Sequence, residues 1–192
     1  MTALASSAAT WKGAVGAIVL GAGLSSRFGE SDKLGAGLRG KPLAHHILPA
    51  LQPFDWADKI LVCRDKSDWI EAYTADGFRL VENVRPDQGM LSSLKAGVDD
   101  LEQAALAMIF LADMPFVTAE HVRRLLSLAI SSHGRAVASK ADNYRGPPAI
   151  FPIEALKQLP ASGEGGARSL LASALFVKAP ATSCLMSIPR RP

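Results

Sequence analysis

Short apolar runs recur along the chain at 14–20, 59–63, 78–81, 107–111 and 136–139, and each reads as a β-strand. Between them, 43–51, 68–74, 90–103 and 119–131 carry helical patterns. In 90–103, Leu91, Leu94, Val98 and Leu101 fall at helical spacing and make one apolar face. Met108-Ile109-Phe110-Leu111 is apolar throughout, as a strand covered on both sides must be. Thr118 is a good N-cap, and Glu120 behind it puts an acid in the first helical turn. The alternation predicts a three-layer α/β/α domain, an open and mostly parallel sheet of Rossmann-like kind. Residues 14–192 are expected to form this one domain, after a loose leader at 1–13. No internal repeat interrupts it.

Composition adds exclusions. At 192 residues the chain is long enough for one domain that buries about 70% of its unfolded surface. It is 48% hydrophobic and 20% charged, ordinary for a globular protein. A net charge of +3 without a dense Lys/Arg run argues against nucleic acid and leaves room for an anionic small substrate. The longest apolar run, 104–112, is too short to span a bilayer, and the leader lacks the basic start and apolar stretch of a signal peptide. The two cysteines, Cys63 and Cys184, are expected as reduced thiols. A cytoplasmic protein is the expectation.

Chemistry concentrates at the end of the first strand. Gly21-Ala22-Gly23-Leu24-Ser25-Ser26-Arg27-Phe28-Gly29 is followed by Lys33 and by Gly40-Lys41-Pro42-Leu43. A flexible turn leaving a buried strand presents backbone N–H groups to phosphates. Arg27 and Lys33 add positive charge where a polyphosphate would lie. A dinucleotide fingerprint is excluded, because Ser26 stands where Gly or Ala is needed and no ribose-binding acid follows about 20 residues on. The Gly-Lys-Ser/Thr of a Walker A loop is also missing.

Asp113 follows the strand at 107–111, on the carboxyl edge where such sheets bind ligands. Thr118 already caps the next helix and Pro115 keeps Asp113 out of it. A lone carboxylate there suits Mg²⁺ bridging phosphate oxygens; the alternative is a surface turn. Asn83 and Asp87-Gln88-Gly89-Met90 form a second loop on this edge. Ser92 and Ser93, in the turn behind it, either cap backbone or reach a ligand.

These residues resemble the nucleotidyltransferases of molybdenum cofactor biosynthesis, the family of cytidylyltransferases and guanylyltransferases that act on molybdopterin. The likeness runs from Ala14 to Leu171. The family's Leu-Ala-Ala-Gly-x-Ser-x-Arg-Met-Gly-x-x-Lys is similar to Leu20-Gly21-Ala22-Gly23-Leu24-Ser25-Ser26-Arg27-Phe28-Gly29, with Lys33 one residue late. Its Gly-Met-Ser-Ser-Ser-Leu-Arg-Ala-Gly resembles 89–97, and its Asp-x-Pro resembles Asp113-Met114-Pro115. Its Arg-Gly-x-Pro-x-x-Phe resembles 145–151, and its Gly-Asp-x-Gly-Ala-Arg resembles 163–168.

The resemblance implies a Mg²⁺-dependent transfer of a nucleoside monophosphate from a triphosphate to the phosphate of molybdopterin, releasing pyrophosphate. Leu20, Gly21, Ala22, Gly23, Ser25 and Lys33 would hold the nucleotide, with Arg27, Lys33 and Asp113 catalytic. Asn83, Gly89, Ser92 and Ser93 would border base or ribose, and Arg145, Gly146 and Arg168 would face the acceptor. Asp113 is the implied metal ligand; Glu164, standing where the family has Asp, would need its longer side chain to reach the ion. Ala22 at the third loop position leans toward CTP over GTP. A molybdoenzyme or its chaperone is a possible partner. The family's acidic Asp-x-Asp-Thr-Pro ending is replaced by 184–192, so the expected C-terminus is truncated or divergent. The alternatives are a transferase acting on another phosphorylated small molecule, or a carrier that holds pterin or nucleotide without turnover.

Overall fold

The computed structural model describes residues 15–23, 32–64 and 67–180. In chain order it contains β1 (Val15–Leu20), β2 (Gly37–Leu38), β3 (Lys41–Pro42), α1 (Leu48–Leu51), β4 (Lys59–Cys63), α2 (Glu71–Ala75), β5 (Arg79–Glu82), α3 (Met90–Asp99), β6 (Leu106–Leu111), α4 (Ala119–Ser131), β7 (Val137–Ala141), β8 (Tyr144–Pro152), α5 (Ile153–Lys157) and β9 (Leu175–Lys178). The leader at 1–13 and the divergent ending at 184–192 lie outside the described residues.

Seven strands form one sheet in the order β5-β4-β1-β6-β8-β7-β9, and β2 and β3 make a separate small hairpin. β5, β4, β1 and β6 are mutually parallel, as are β7 and β9; β8 alone runs against its neighbours. Every residue of β1 is buried, and so are Ile60–Val62 and Ala107–Phe110 on its two neighbours. Such strands have no polar face because helices cover both sides. Ile18, Val62 and Ile109 share the side on which α3 lies. A Cβ on Gly97 would come within 2.8 Å of Ile18 and 2.9 Å of Val62, so α3 can approach that closely only with glycine there. On the other side Phe110 meets Trp56 edge-on at 5.9 Å, and α1 and α4 pack together. The three layers are as the sequence predicts.

At the amino ends of the strands, buried Asp58 accepts bonds from the backbone of Glu102 and Gln103 and pairs with Arg79 at 3.1 Å. Asp100, then Asp58, raise the Arg79 pKa. These contacts lock the α3–β6 turn to β4 and β5, far from the carboxyl edge.

Differences from the sequence expectation are local. The segment 43–51 is a 3₁₀ turn, Leu43–His46, followed by one turn of α-helix with a proline in its opening turn. The helix expected over 90–103 stops at Asp99. β8 and β9 were not foreseen. Pro147-Pro148 argues against a strand because proline donates nothing to the ladder. The sheet accommodates the pair through a register shift opposite Ala138 and Ser139, and the Pro147–Pro148 peptide is cis.

Candidate active site at the carboxyl edge of the sheet

β1 and β6 end side by side, Leu20 opposite Leu111, so the residues after each strand emerge together. Gly21–Gly23 leave β1 here, with the Gly21 amide bonded to the carbonyl of Val62 at 2.8 Å. Asp113 leaves β6. Its carboxylate meets the Lys33 ammonium at 2.8 Å, both side chains being about one-fifth exposed. The expected metal ligand and the expected phosphate cation therefore sit in contact, although 80 residues separate them. Ser25 and Arg27 lie outside the described residues.

The second loop is built from the inside. Asn83 Nδ2 donates to Ser92 Oγ and Ser93 Oγ, each at 2.9 Å, and its Oδ1 accepts from the Arg85 amide. Ser92 Oγ also lies 2.8 Å from the Gly89 carbonyl and 2.9 Å from that of Arg85. All three side chains are buried. They shape the turn that holds Gly89 at φ 81°.

That turn is tied to the 163–168 segment, backbone to backbone. The Gly163 amide donates to Gln88 and the Leu91 amide donates to Gly163, at 2.8 and 2.9 Å. The second bond satisfies a donor that a helix N-terminus otherwise leaves open. A Cβ on Gly89 would fall 2.7 Å from the Gly163 backbone and 3.0 Å from Glu164 Oε1. Glu164, exposed, thus lies against the start of α3.

Between this tie and β8 opens a pocket with walls of Leu20, Leu94, Ile109, Leu111 and Phe151. Arg145, Gly146 and Arg168, assigned to the acceptor by resemblance, line it together with Tyr144 and Gly166. No motif points to Tyr144, whose hydroxyl donates to the Pro147 carbonyl at 2.6 Å and braces the hairpin.

Among the described residues no group of three or more His, Cys, Asp or Glu side chains could hold a metal ion by itself. That donor set still fits Mg²⁺, which is commonly bound by one or two carboxylates with substrate phosphates filling its remaining positions. No helix of the described residues is long and apolar enough to cross a membrane.

This geometry, a glycine turn and a carboxylate at adjacent strand ends beside a pocket, has relatives. Residues 17–179 match the MobA-like NTP transferase domain. The chain belongs to this family. It is a nucleotidyltransferase of the MobA-like kind. It is 32% identical over 163 residues to the molybdenum cofactor guanylyltransferase of Cupriavidus pinatubonensis, and 27% identical over 154 residues to that of Pseudomonas putida. Both likenesses cover 80% of this chain and 78% of the relative. Its fold matches that of Rv0371c from Mycobacterium tuberculosis H37Rv with a TM-score of 0.71 at 20% identity, over 86% of this chain and 88% of the other.

The comparison corrects one expectation. Ala22 leaned toward CTP and CMP transfer, yet both relatives are guanylyltransferases by name. Ala22 itself is 2% exposed, its methyl packed into the core.

Proposed function

We propose that this nucleotidyltransferase moves GMP from GTP to the phosphate of a molybdopterin-type acceptor and releases pyrophosphate. The observation that carries the reading is the pocket, which gathers Arg145, Gly146 and Arg168 against apolar walls ending at Leu20 and Leu111. An anionic acceptor with a flat ring system can stack on such walls, and its phosphate would point to the edge where Gly21–Gly23 and Asp113 emerge. The guanine preference rests on the relatives.

The chain's own residues do the positioning. Backbone N–H groups of the glycine turn receive phosphate oxygens, and Lys33 supplies a cation for the leaving pyrophosphate. Asp113 would hold Mg²⁺ together with those oxygens, and Arg27 would add to the same charge. Mg²⁺, when bound, supplies Lewis-acid polarisation of the phosphate under attack. The attacking phosphate oxygen is already anionic near neutral pH, so no general base is required. Lys33 leaves Asp113 as the triphosphate arrives and turns its ammonium to phosphate.

The test is pyrophosphate release by the purified full chain with Mg²⁺, molybdopterin, and GTP or CTP in parallel. Turnover with GTP at least tenfold above CTP is expected. Nucleotide binding without turnover on molybdopterin would overturn the acceptor assignment, and turnover confined to CTP would overturn the base.

A further inference from the structure

The sequence motif Gly40-Lys41-Pro42-Leu43 runs through the small β2–β3 hairpin, to which the reaction above gives no part. Gly37 pairs with Pro42 and Leu38 with Lys41, so Arg39 and Gly40 alone make its turn. Both have positive φ, 49° and 86°. A two-residue hairpin turn of this kind favours Asn, Asp or Gly at its first position, because other L-residues pay for the left-handed region with a crowded Cβ. At the other two-residue hairpin, between Ala141 and Tyr144, the positive-φ position is held by Asp142, as that preference asks. Arg39 goes against it. Local turn chemistry gives no reason for an arginine there, which leaves the contact its side chain makes.

The Arg39 guanidinium carbon lies 5.9 Å from the ring centroid of Phe116. Phe116 stands three residues beyond Asp113, half-buried, between Met114 and Val117, which are both buried and seat the loop in the core. The segment that carries Arg39 also carries Lys33, whose ammonium meets Asp113. Residues 32–43 thereby touch the loop after β6 at two points, Lys33 on Asp113 and Arg39 on Phe116. Hydrogen bonds hold the same segment elsewhere: Trp69 Nε1 donates to Asp32 at 2.7 Å, the Ala44 amide to the Leu34 carbonyl at 3.1 Å, and His46 Nε2 to the Leu38 carbonyl at 2.8 Å.

Turnover treats the two points differently. The arriving triphosphate takes Lys33 from Asp113, whereas neither Arg39 nor Phe116 is assigned to the nucleotide. We infer, on the roles proposed above for Lys33 and Asp113, that Arg39 is a positioning residue whose contact with Phe116 holds the Lys33 segment against the Asp113 loop once the ion pair between them opens. The backbone strain at Arg39 is then stability given up for the geometry of the site.

Arg39→Asn separates the two effects, because it suits the turn and removes the contact. The full chain is measured for its thermal midpoint, for GTP affinity by isothermal titration with Mg²⁺, and for pyrophosphate release with molybdopterin. Arg39→Asn is expected to raise the midpoint while weakening GTP binding about two- to fivefold, the range of an exposed cation–π contact. Arg39→Lys, which keeps a cation for the ring, should retain affinity. Phe116→Leu should match Arg39→Asn, and the double variant should lose no more than either single one. Wild-type affinity in both single variants would overturn the contact's role and leave Lys33 and Asp113 as assigned. A loss in Arg39→Asn that Phe116→Leu does not share, or additive losses, would also overturn it, making Arg39 a direct phosphate contact. A midpoint that falls together with affinity would reduce Arg39 to a structural residue. A wild type that binds no GTP in the presence of Mg²⁺ would overturn the roles of Lys33 and Asp113 and this inference with them.

Discussion

Lys33 and Asp113 satisfy each other at 2.8 Å, partly shielded from water, so each residue's role depends on the other's. On the proposed reading, removing Asp113 takes away the carboxylate that would hold the metal; Asp113→Ala should lower kcat/KM by about 10²- to 10³-fold, the scale seen when an electrostatic stabiliser is removed. Lys33→Ala should raise the KM for GTP about tenfold with a smaller change in kcat. Steady-state pyrophosphate release checks both, and an unchanged KM for GTP would mean that Lys33 only accompanies Asp113. The types of these residues and their place at strand ends could be read from the sequence. Their contact could not, because nothing local in 33 or 113 specifies the other. Ala22 shows the reverse failure: a residue conspicuous in a motif turns out to be a core methyl.

At the scale of elements, the tie between the Gly89 turn and Gly163 joins the segment assigned to the nucleotide with the one assigned to the acceptor. Gly89→Ala places a Cβ 2.7 Å from backbone that cannot step aside, at a φ that L-residues seldom adopt. Stability should fall by about 1–3 kcal/mol, and the KM values for GTP and acceptor should rise together. Thermal unfolding with two-substrate kinetics would show this; a rise in one KM alone would mean that the tie does not couple the segments. The long periodic elements were legible, since α4 and β4 depend on local pattern and capping alone: Thr118 Oγ1 accepts from the His121 amide as an N-cap should. β8 and β9 were illegible for a physical reason. A strand with a Pro-Pro pair inside it survives only where a partner bends to meet it, and that partner, β7, is specified elsewhere in the chain.

For the whole molecule, the buried link between α4 and the β7–β8 hairpin sets a pH limit. Ser139 Oγ donates to the Pro148 carbonyl at 2.7 Å, so it accepts from His121 Nε2–H at 2.8 Å. His121 Nδ1 is then a buried lone pair with no donor. Burial, with Arg124 adding to it, lowers the His121 pKa to about 4. The unfolded chain binds a proton there near pH 6.5, before the folded protein does. Stability is therefore full above pH 6.5 and declines as the pH falls toward 4, by up to about 3 kcal/mol. Urea unfolding at pH 7.5, 5.5 and 4 should show the decline, and His121→Gln should flatten it. An undiminished slope in the variant would assign the loss to carboxylates instead.

The single reversed strand has a consequence for how this enzyme can change. β6 and β8 meet along a seam with a parallel block of four strands on one side and β8, β7 and β9 on the other. The described residues assigned to the triphosphate hang from the first block, whereas Arg145 and Gly146, assigned to the acceptor, stand on the second. Because β8 begins where the parallel strands finish, the second block delivers its residues to the shared edge from a tight hairpin. Substitutions on the second block thus leave the strands that carry the triphosphate turn untouched, while the Gly89–Gly163 tie keeps the two sets of residues in one register.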